Sequence, residues 1–193
     1  MKIYKIGIIG CGGIAQKMAA TLEKMKGVER YAVASRNQEK AEAFANKWGF
    51  TKAYGSYEEL ASDPEVDLIY IATPHAMHYD NAHMCIEKGK PVLCEKAFTA
   101  NARQAEDLLT FAKEKGVFIT EAIWTRYMPL SLKIQELLKE GVIGTPYTLS
   151  ANLSYPISNK ERIIRPELAG GALLDIGVYT PVSYTHLRAH ETL

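Results

Sequence analysis

At 193 residues, with 47% hydrophobic content and a formal net charge of +1 at pH 7, the chain is long enough for one large core, or for one domain and part of another. Its near-neutral, mixed charge offers no strong field to nucleic acid or to an anionic membrane, so neither is expected as a partner. Cys11, Cys85 and Cys94 show neither C-x-x-C spacing nor an even count, which points to a reducing, cytoplasmic setting rather than a disulfide framework. The sequence reads with no signal peptide and no run long enough to span a membrane.

Elements follow in alternation. Ile3 to Ile9 reads as a strand that runs into Gly10-Cys11-Gly12-Gly13-Ile14-Ala15, and a helix follows from Ile14 to about Lys26, with Ile14, Met18 and Leu22 on one face. A strand-turn-helix of the form G-x-G-x-x-A is a dinucleotide fingerprint. Gly10 permits the tight turn, Gly12 lets backbone approach a pyrophosphate, and Ala15 lets the helix pack on the strand while its first amides face the phosphates. A second strand, Tyr31 to Ser35, leads to a helix capped by Asn37 and ending at Trp48-Gly49. Ser56-Tyr57-Glu58-Glu59 reads as a capping box for a short helix stopped at Asp63-Pro64. Val66 to Ala72 is a continuous apolar strand, as expected when both faces of a parallel sheet are covered. A helix from Asn81 to Lys88, a strand Pro91 to Cys94, a helix Ala102 to Lys115 and a strand Val117 to Ala122 complete the series. This order predicts an α/β fold, a doubly wound parallel sheet of Rossmann type with helices on both faces. Beyond it, Pro129 to Glu140 reads as a helix and Thr145 to Leu153 as a strand of a second, incomplete α/β domain.

Ligands of such sheets bind beyond the carboxyl ends of the strands. After the second strand stand Ser35, Arg36 and, one turn on, Lys40; an acidic residue there would hold a ribose and repel a 2′-phosphate, whereas these groups suit a phosphate dianion, so NADP is expected over NAD. The alternative is that Arg36 and Lys40 are solvated residues at a helix start. Thr73-Pro74-His75 and His78 read as a loop lining the cofactor cleft. His78 and His83, five apart on a helix, point about 140° from one another, and no metal is expected. After the strand ending at Cys94, Lys96 stands where it could hold a substrate oxygen, or be an ordinary surface lysine. Gly170 and Gly171 open a helical run on which Asp175 and Tyr179, four apart, share a face; as alternatives, Asp175 is a capping or ion-pair residue and Tyr179 fills core.

The Gly10 to Ala15 fingerprint, Glu95-Lys96, the stretch Glu121 to Tyr127 and Gly170 to Tyr179 together resemble the glucose-fructose oxidoreductase / inositol dehydrogenase (Gfo/Idh/MocA) family, in particular its dihydrodiol and NADP-dependent D-xylose dehydrogenase branch. The resemblance runs from the N-terminus to about Pro181. It implies a Rossmann domain over 1–120 and a substrate-binding, dimer-forming domain with an open sheet from 121 onward, hence a homo-oligomer when complete. It further implies cofactor contacts from Gly13, Ile14, Glu95, Trp124 and Arg126, with Lys96 as the family lysine, Asp175 in the substrate pocket and Tyr179 as the proton-transfer residue. Two departures stand out: Ala97 replaces the proline usual after the lysine, and Tyr179 stands where many relatives have histidine, which fits the dihydrodiol and xylose branch.

The implied chemistry is hydride transfer between the nicotinamide and a carbinol carbon of a sugar, polyol or cyclic diol. Tyr179 would take the alcohol proton; a free phenol titrates at about 10, and a neighbouring Lys96 ammonium would favour its phenolate. A non-catalytic nucleotide- or sugar-binding protein of the same fold is the competing reading. After Pro181 the apolar helical pattern stops, two of the five histidines fall in the last twelve residues, and 182–193 reads as foreign translated read-through at the end of an incomplete gene. The chain as written is therefore expected to be an inactive fragment whose first domain folds and whose helix breaks at Pro181.

Overall fold

The computed structural model describes residues 2–157 and 159–187. The chain divides into two units, Met1–Ala122 and Ile123–Leu193.

In the first unit six strands, β1 (Tyr4–Ile9), β2 (Val28–Ala34), β3 (Lys52–Tyr54), β4 (Leu68–Ile71), β5 (Val92–Glu95) and β6 (Ile119–Ala122), form one sheet in the order β3-β2-β1-β4-β5-β6. Every pairing is parallel. The order reverses beside β1, and this crossing point is where a doubly wound sheet opens a crevice at the carboxyl ends of its strands. Consecutive strand residues face opposite ways. Ile9, Ala34, Ile69, Ile71, Val92 and Cys94 therefore enter one buried layer with Leu60, Ala82, Cys85 and Leu108. Ile6, Ile8, Val33 and Tyr70 enter the other with Ala15, Ala19, Leu22, Phe44 and Ala45. Burial on both faces is what makes these strands continuous apolar runs.

The helices supply those layers. α1 (Gly13–Leu22) and α2 (Gln38–Trp48) cover the second face, while α3 (Tyr57–Ser62), α4 (His78–Glu87) and α5 (Ala102–Lys115) cover the first. Asn37 caps α2, its side chain accepting from the Lys40 amide at 2.8 Å. Ser56 and Glu59 form the expected reciprocal capping box, and α2 and α5 end at Gly49 and Gly116. α4 begins three residues earlier than its periodicity suggests, because His78 is buried in the turn that starts it. β3 carries no sequence signal: three residues are too few to show a period, and it exists through its parallel ladder to β2.

The second unit departs further from the sequence reading. A 3-10 turn over Trp124–Tyr127 precedes α6 (Pro129–Lys139), but the strand expected over Thr145 to Leu153 does not form. Strand backbone needs a ladder to satisfy its N–H and C=O groups, and the residues of this stretch are irregular, with Tyr147, Leu149 and Leu153 exposed. Short α7 (Glu161–Ile164) and a 3-10 turn at Pro166–Leu168 follow. The single helix expected around Asp175 and Tyr179 is two segments, a π-helical turn over Leu173–Gly177 and then α8 (Tyr179–Leu187). Nor does Pro181 break it: as the third residue of α8 its missing N–H is one that the first turn leaves unbonded in any case. Among the described residues no helix is long and apolar enough to cross a membrane.

Candidate functional site

The first unit gathers four segments at the carboxyl edge of its sheet. After β1, Gly10 takes φ +98°, and a Cβ on it would sit 2.9 Å from the Ala72 carbonyl oxygen and 3.1 Å from its carbon. The turn is thus pressed against the backbone that leaves β4, which no L side chain permits. Gly12 differs. Its φ of −78° suits any residue and a Cβ there meets nothing within 4 Å. Gly12 is the N-cap of α1, which has no side-chain cap and no acidic residue in its first turn. Open space before unshielded helix amides, including those of Gly13 and Ile14, fits a pyrophosphate. Ala15 is fully buried where α1 meets the sheet.

After β2, Ser35 is buried, and its hydroxyl accepts from the Asn37 amide at 3.4 Å. Arg36 and Lys40 are exposed. The Arg36 guanidinium stands beside the hydroxyl of Tyr57, which burial raises above its ordinary value and the cation partly lowers; burial likewise raises the Cys11 thiol, offset in part by its hydrogen bond with Ser35 and then by the Lys40 charge. This cationic rim, with no carboxylate at the end of β2, fits a dianionic phosphate. Tyr57 was not picked out by the sequence reading, which saw only a capping-box residue.

After β4 come Thr73, Pro74, His75 and His78. Thr73 and His75 are largely buried, and the Asn81 side chain donates to the Thr73 hydroxyl at 3.1 Å. His78 does not stand in the cofactor cleft as expected. It is fully buried, with Nδ1 2.7 Å from the Ala97 carbonyl and Nε2 2.8 Å from that of Thr73, so both ring nitrogens are engaged by backbone. Burial holds it below the ordinary imidazole value against the hydrogen bonds that raise it.

After β5, Glu95 is also buried. Its carboxylate accepts a short hydrogen bond from the Tyr70 hydroxyl, and the Lys96 amide at 3.2 Å. Burial raises its pKa, and raises that of Glu121, which accepts from the Phe98 amide at 2.9 Å. The backbone on both sides of Lys96 is therefore anchored by carboxylates, the buried Glu95 of β5 and the half-buried Glu121 of β6.

The second unit holds the other expected residues. Trp124 Nε1 donates to the Tyr179 hydroxyl at 2.9 Å, and the two rings meet edge to face at 6.0 Å. Asp175 is buried and bonded to the Arg162 guanidinium, the ion-pair alternative noted above. Arg162 lies thirteen residues upstream on a four-residue helix, where no pattern marks it. Arg126 is exposed on the 3-10 turn after β6.

Family models match along most of the chain: the oxidoreductase family with NAD-binding Rossmann fold over residues 4–122, and the GFO/IDH/MocA C-terminal domain over 131–183. The chain belongs to the Gfo/Idh/MocA oxidoreductase family. It is 44% identical, over 97% of its length and 54% of the relative's, to a D-xylose 1-dehydrogenase (NADP(+)) of Hypocrea jecorina. A trans-1,2-dihydrobenzene-1,2-diol dehydrogenase of Xenopus tropicalis is 41% identical over 91% of this chain and 54% of its own. Among solved structures, an NAD binding oxidoreductase from Klebsiella pneumoniae superposes with a TM-score of 0.81 at 30% identity, covering 95% of this chain and 52% of that one. A 3-ketoreductase from Actinomadura kijaniata, solved with NADP and TDP-benzene, gives 0.80 at 31% identity over 95% and 57%. The chain spans about half the length of the curated relatives it matches.

Proposed function

We propose that this chain binds NADP(H) and belongs to an enzyme that oxidises or forms a carbinol on a sugar, polyol or cyclic diol. The observation that carries the cofactor choice is the end of β2, where Ser35, Arg36 and Lys40 stand in place of a ribose-binding acid. The substrate class follows the names of the xylose and dihydrodiol relatives. When bound, the nicotinamide supplies the hydride acceptor or donor.

The protein's own groups then have the following roles. The α1 amides and Gly12 hold the pyrophosphate, and Arg36 pairs with the 2′-phosphate. Lys96 holds the substrate oxygen by its ammonium. Tyr179 removes or returns the proton of a substrate hydroxyl; the Trp124 indole N–H on the phenol oxygen stabilises the negative charge formed there. Asp175 acts with Arg162 as a bonded pair, ordering the segment that carries Tyr179 and offering polar groups to substrate hydroxyls. Assembly as a homo-oligomer through the second domain is part of the same proposal.

Fluorescence titration with NADPH and NADH, followed by NADP⁺ reduction with D-xylose and with trans-dihydrodiols, tests this reading. Tighter binding of NADPH than NADH supports the cofactor assignment, and turnover supports the enzyme. Binding without turnover on any polyol by a protein extended to the full length of its relatives would favour the non-catalytic reading, and equal affinity for both cofactors would overturn the role of Arg36.

A further inference from the structure

His78 is the first residue of α4, and its ring lies between the loops that leave two adjacent strands. Its Nδ1 is 2.7 Å from the carbonyl of Ala97, the residue after Lys96, and its Nε2 is 2.8 Å from the carbonyl of Thr73, the residue before Pro74-His75. Other bonds brace the same two loops from their own sides: Asn81 on the Thr73 hydroxyl, Glu95 on the Lys96 amide and Glu121 on the Phe98 amide. The imidazole differs from these because it bonds both loops at once.

A carbonyl oxygen only accepts, so each of these contacts is a hydrogen bond only when the facing nitrogen carries a proton. A neutral imidazole carries one N–H and an imidazolium two. We propose that His78 is a positioning residue that ties the Lys96 loop to the loop after β4: neutral, it holds one of the two carbonyls, and protonated, it holds both. This rests on the reading of Lys96 as the substrate-binding lysine. The Lys96 ammonium, from the β5 loop, opposes the second proton, as does burial. The His75 ring, from the β4 loop, meets that of His78 edge-on at 5.7 Å and adds a second opposing charge whenever it is cationic. The carbonyls of Thr73, Ala97 and Phe98 favour the proton. The doubly tied form therefore gains population as pH falls below the ordinary imidazole range, and the singly tied form prevails above it.

Two side chains separate the two ties. An Asn amide reaches the place of Nδ1 and a Gln amide that of Nε2, so His78→Asn keeps the bond to Ala97 and His78→Gln keeps the bond to Thr73. Competitive acylation of lysines, read by peptide mass spectrometry on the cofactor-free chain, reports how firmly Lys96 is held, with Lys113 on α5 as an internal control. We expect Lys96 to label several-fold faster in His78→Gln than in wild type, to label at the wild-type rate in His78→Asn, and Lys113 to be unchanged in both. Nitrogen-15 NMR of the labelled imidazole should show one protonated ring nitrogen above the titration and two below it. Equal Lys96 labelling in the two variants would overturn the proposal, as would a ring that never gains its second proton while the protein stays folded. Because labelling is read without cofactor, a wild-type protein that fails to bind NADPH would defeat the proposed function and leave this test intact.

Discussion

Gly10 and Gly12 stand two residues apart in the same turn, yet the structure assigns them opposite roles, and alanine at each should separate fold from cofactor. At Gly10 a methyl would lie 2.9 Å from the Ala72 carbonyl oxygen, a backbone atom that cannot move without disturbing β4, and φ is +98°. Unfavourable backbone conformation costs about 1–3 kcal/mol and overpacking against fixed backbone about 1–3 kcal/mol, so Gly10→Ala should lose roughly 2–6 kcal/mol of stability. That is a large part of the roughly 5–15 kcal/mol available to a domain. At Gly12 a methyl meets nothing within 4 Å, and the cost to the protein is that of a poorer N-cap, on the order of 0.5–1 kcal/mol. The same methyl occupies the space assigned to the pyrophosphate, where losing a charge-assisted hydrogen bond costs about 1.5–3 kcal/mol, or roughly 10- to 150-fold in NADPH affinity. Urea unfolding followed through Trp48, which packs on Phe44 in the first unit, in a Trp124→Phe background, reads stability; NADPH titration reads binding. A Gly12→Ala protein that binds NADPH normally, or a Gly10→Ala protein as stable as wild type, would refute the reasoning.

Arg36→Ala should weaken NADP⁺ by about 1.5–3 kcal/mol while leaving NAD⁺ nearly unchanged, since only the former brings a 2′-phosphate to the guanidinium; equal losses in titration would remove Arg36 from recognition. In an enzyme extended to the full length of its relatives, Tyr179→Phe should lower kcat about 10²- to 10⁴-fold with cofactor affinity kept, and unaltered turnover would exclude the tyrosine. Asp63 tests an electrostatic brace away from the site: burial opposes its charge, but bonds from Lys52, Tyr54 and the Glu65 amide outweigh burial and hold its pKa at about 2 against the ordinary 3.8. A depressed acid stabilises above its unfolded value and loses that contribution as pH falls, so Asp63→Asn should cost about 2 kcal/mol at pH 7, and the difference should fade between about pH 4 and pH 2. A gap between the two proteins that does not change with pH would refute it.

For the first unit, sequence alone was enough to establish the alternating elements, the glycine turn, the caps at Asn37 and Ser56, and the cationic end of β2. These are local facts: a period of two or 3.6, a turn that needs glycine, a cap three residues from its amide. Even the choice between Ser35-Arg36 and an acid is a property of two neighbouring residues. Tertiary structure decided everything that depends on which strand lies beside which. It placed β1 next to β4 and so gave Gly10 its close contact with Ala72, a constraint between residues far apart in the chain. It also buried His78 and Glu95, because the carbonyl of Ala97 and the hydroxyl of Tyr70 reach them only once β4 and β5 are paired. In the second unit the strand read from Thr145 to Leu153 failed for the same reason. Apolar alternation marks a willingness to pair, but a strand exists only when another backbone is present to take its hydrogen bonds, and that partner is a property of the fold rather than of the segment.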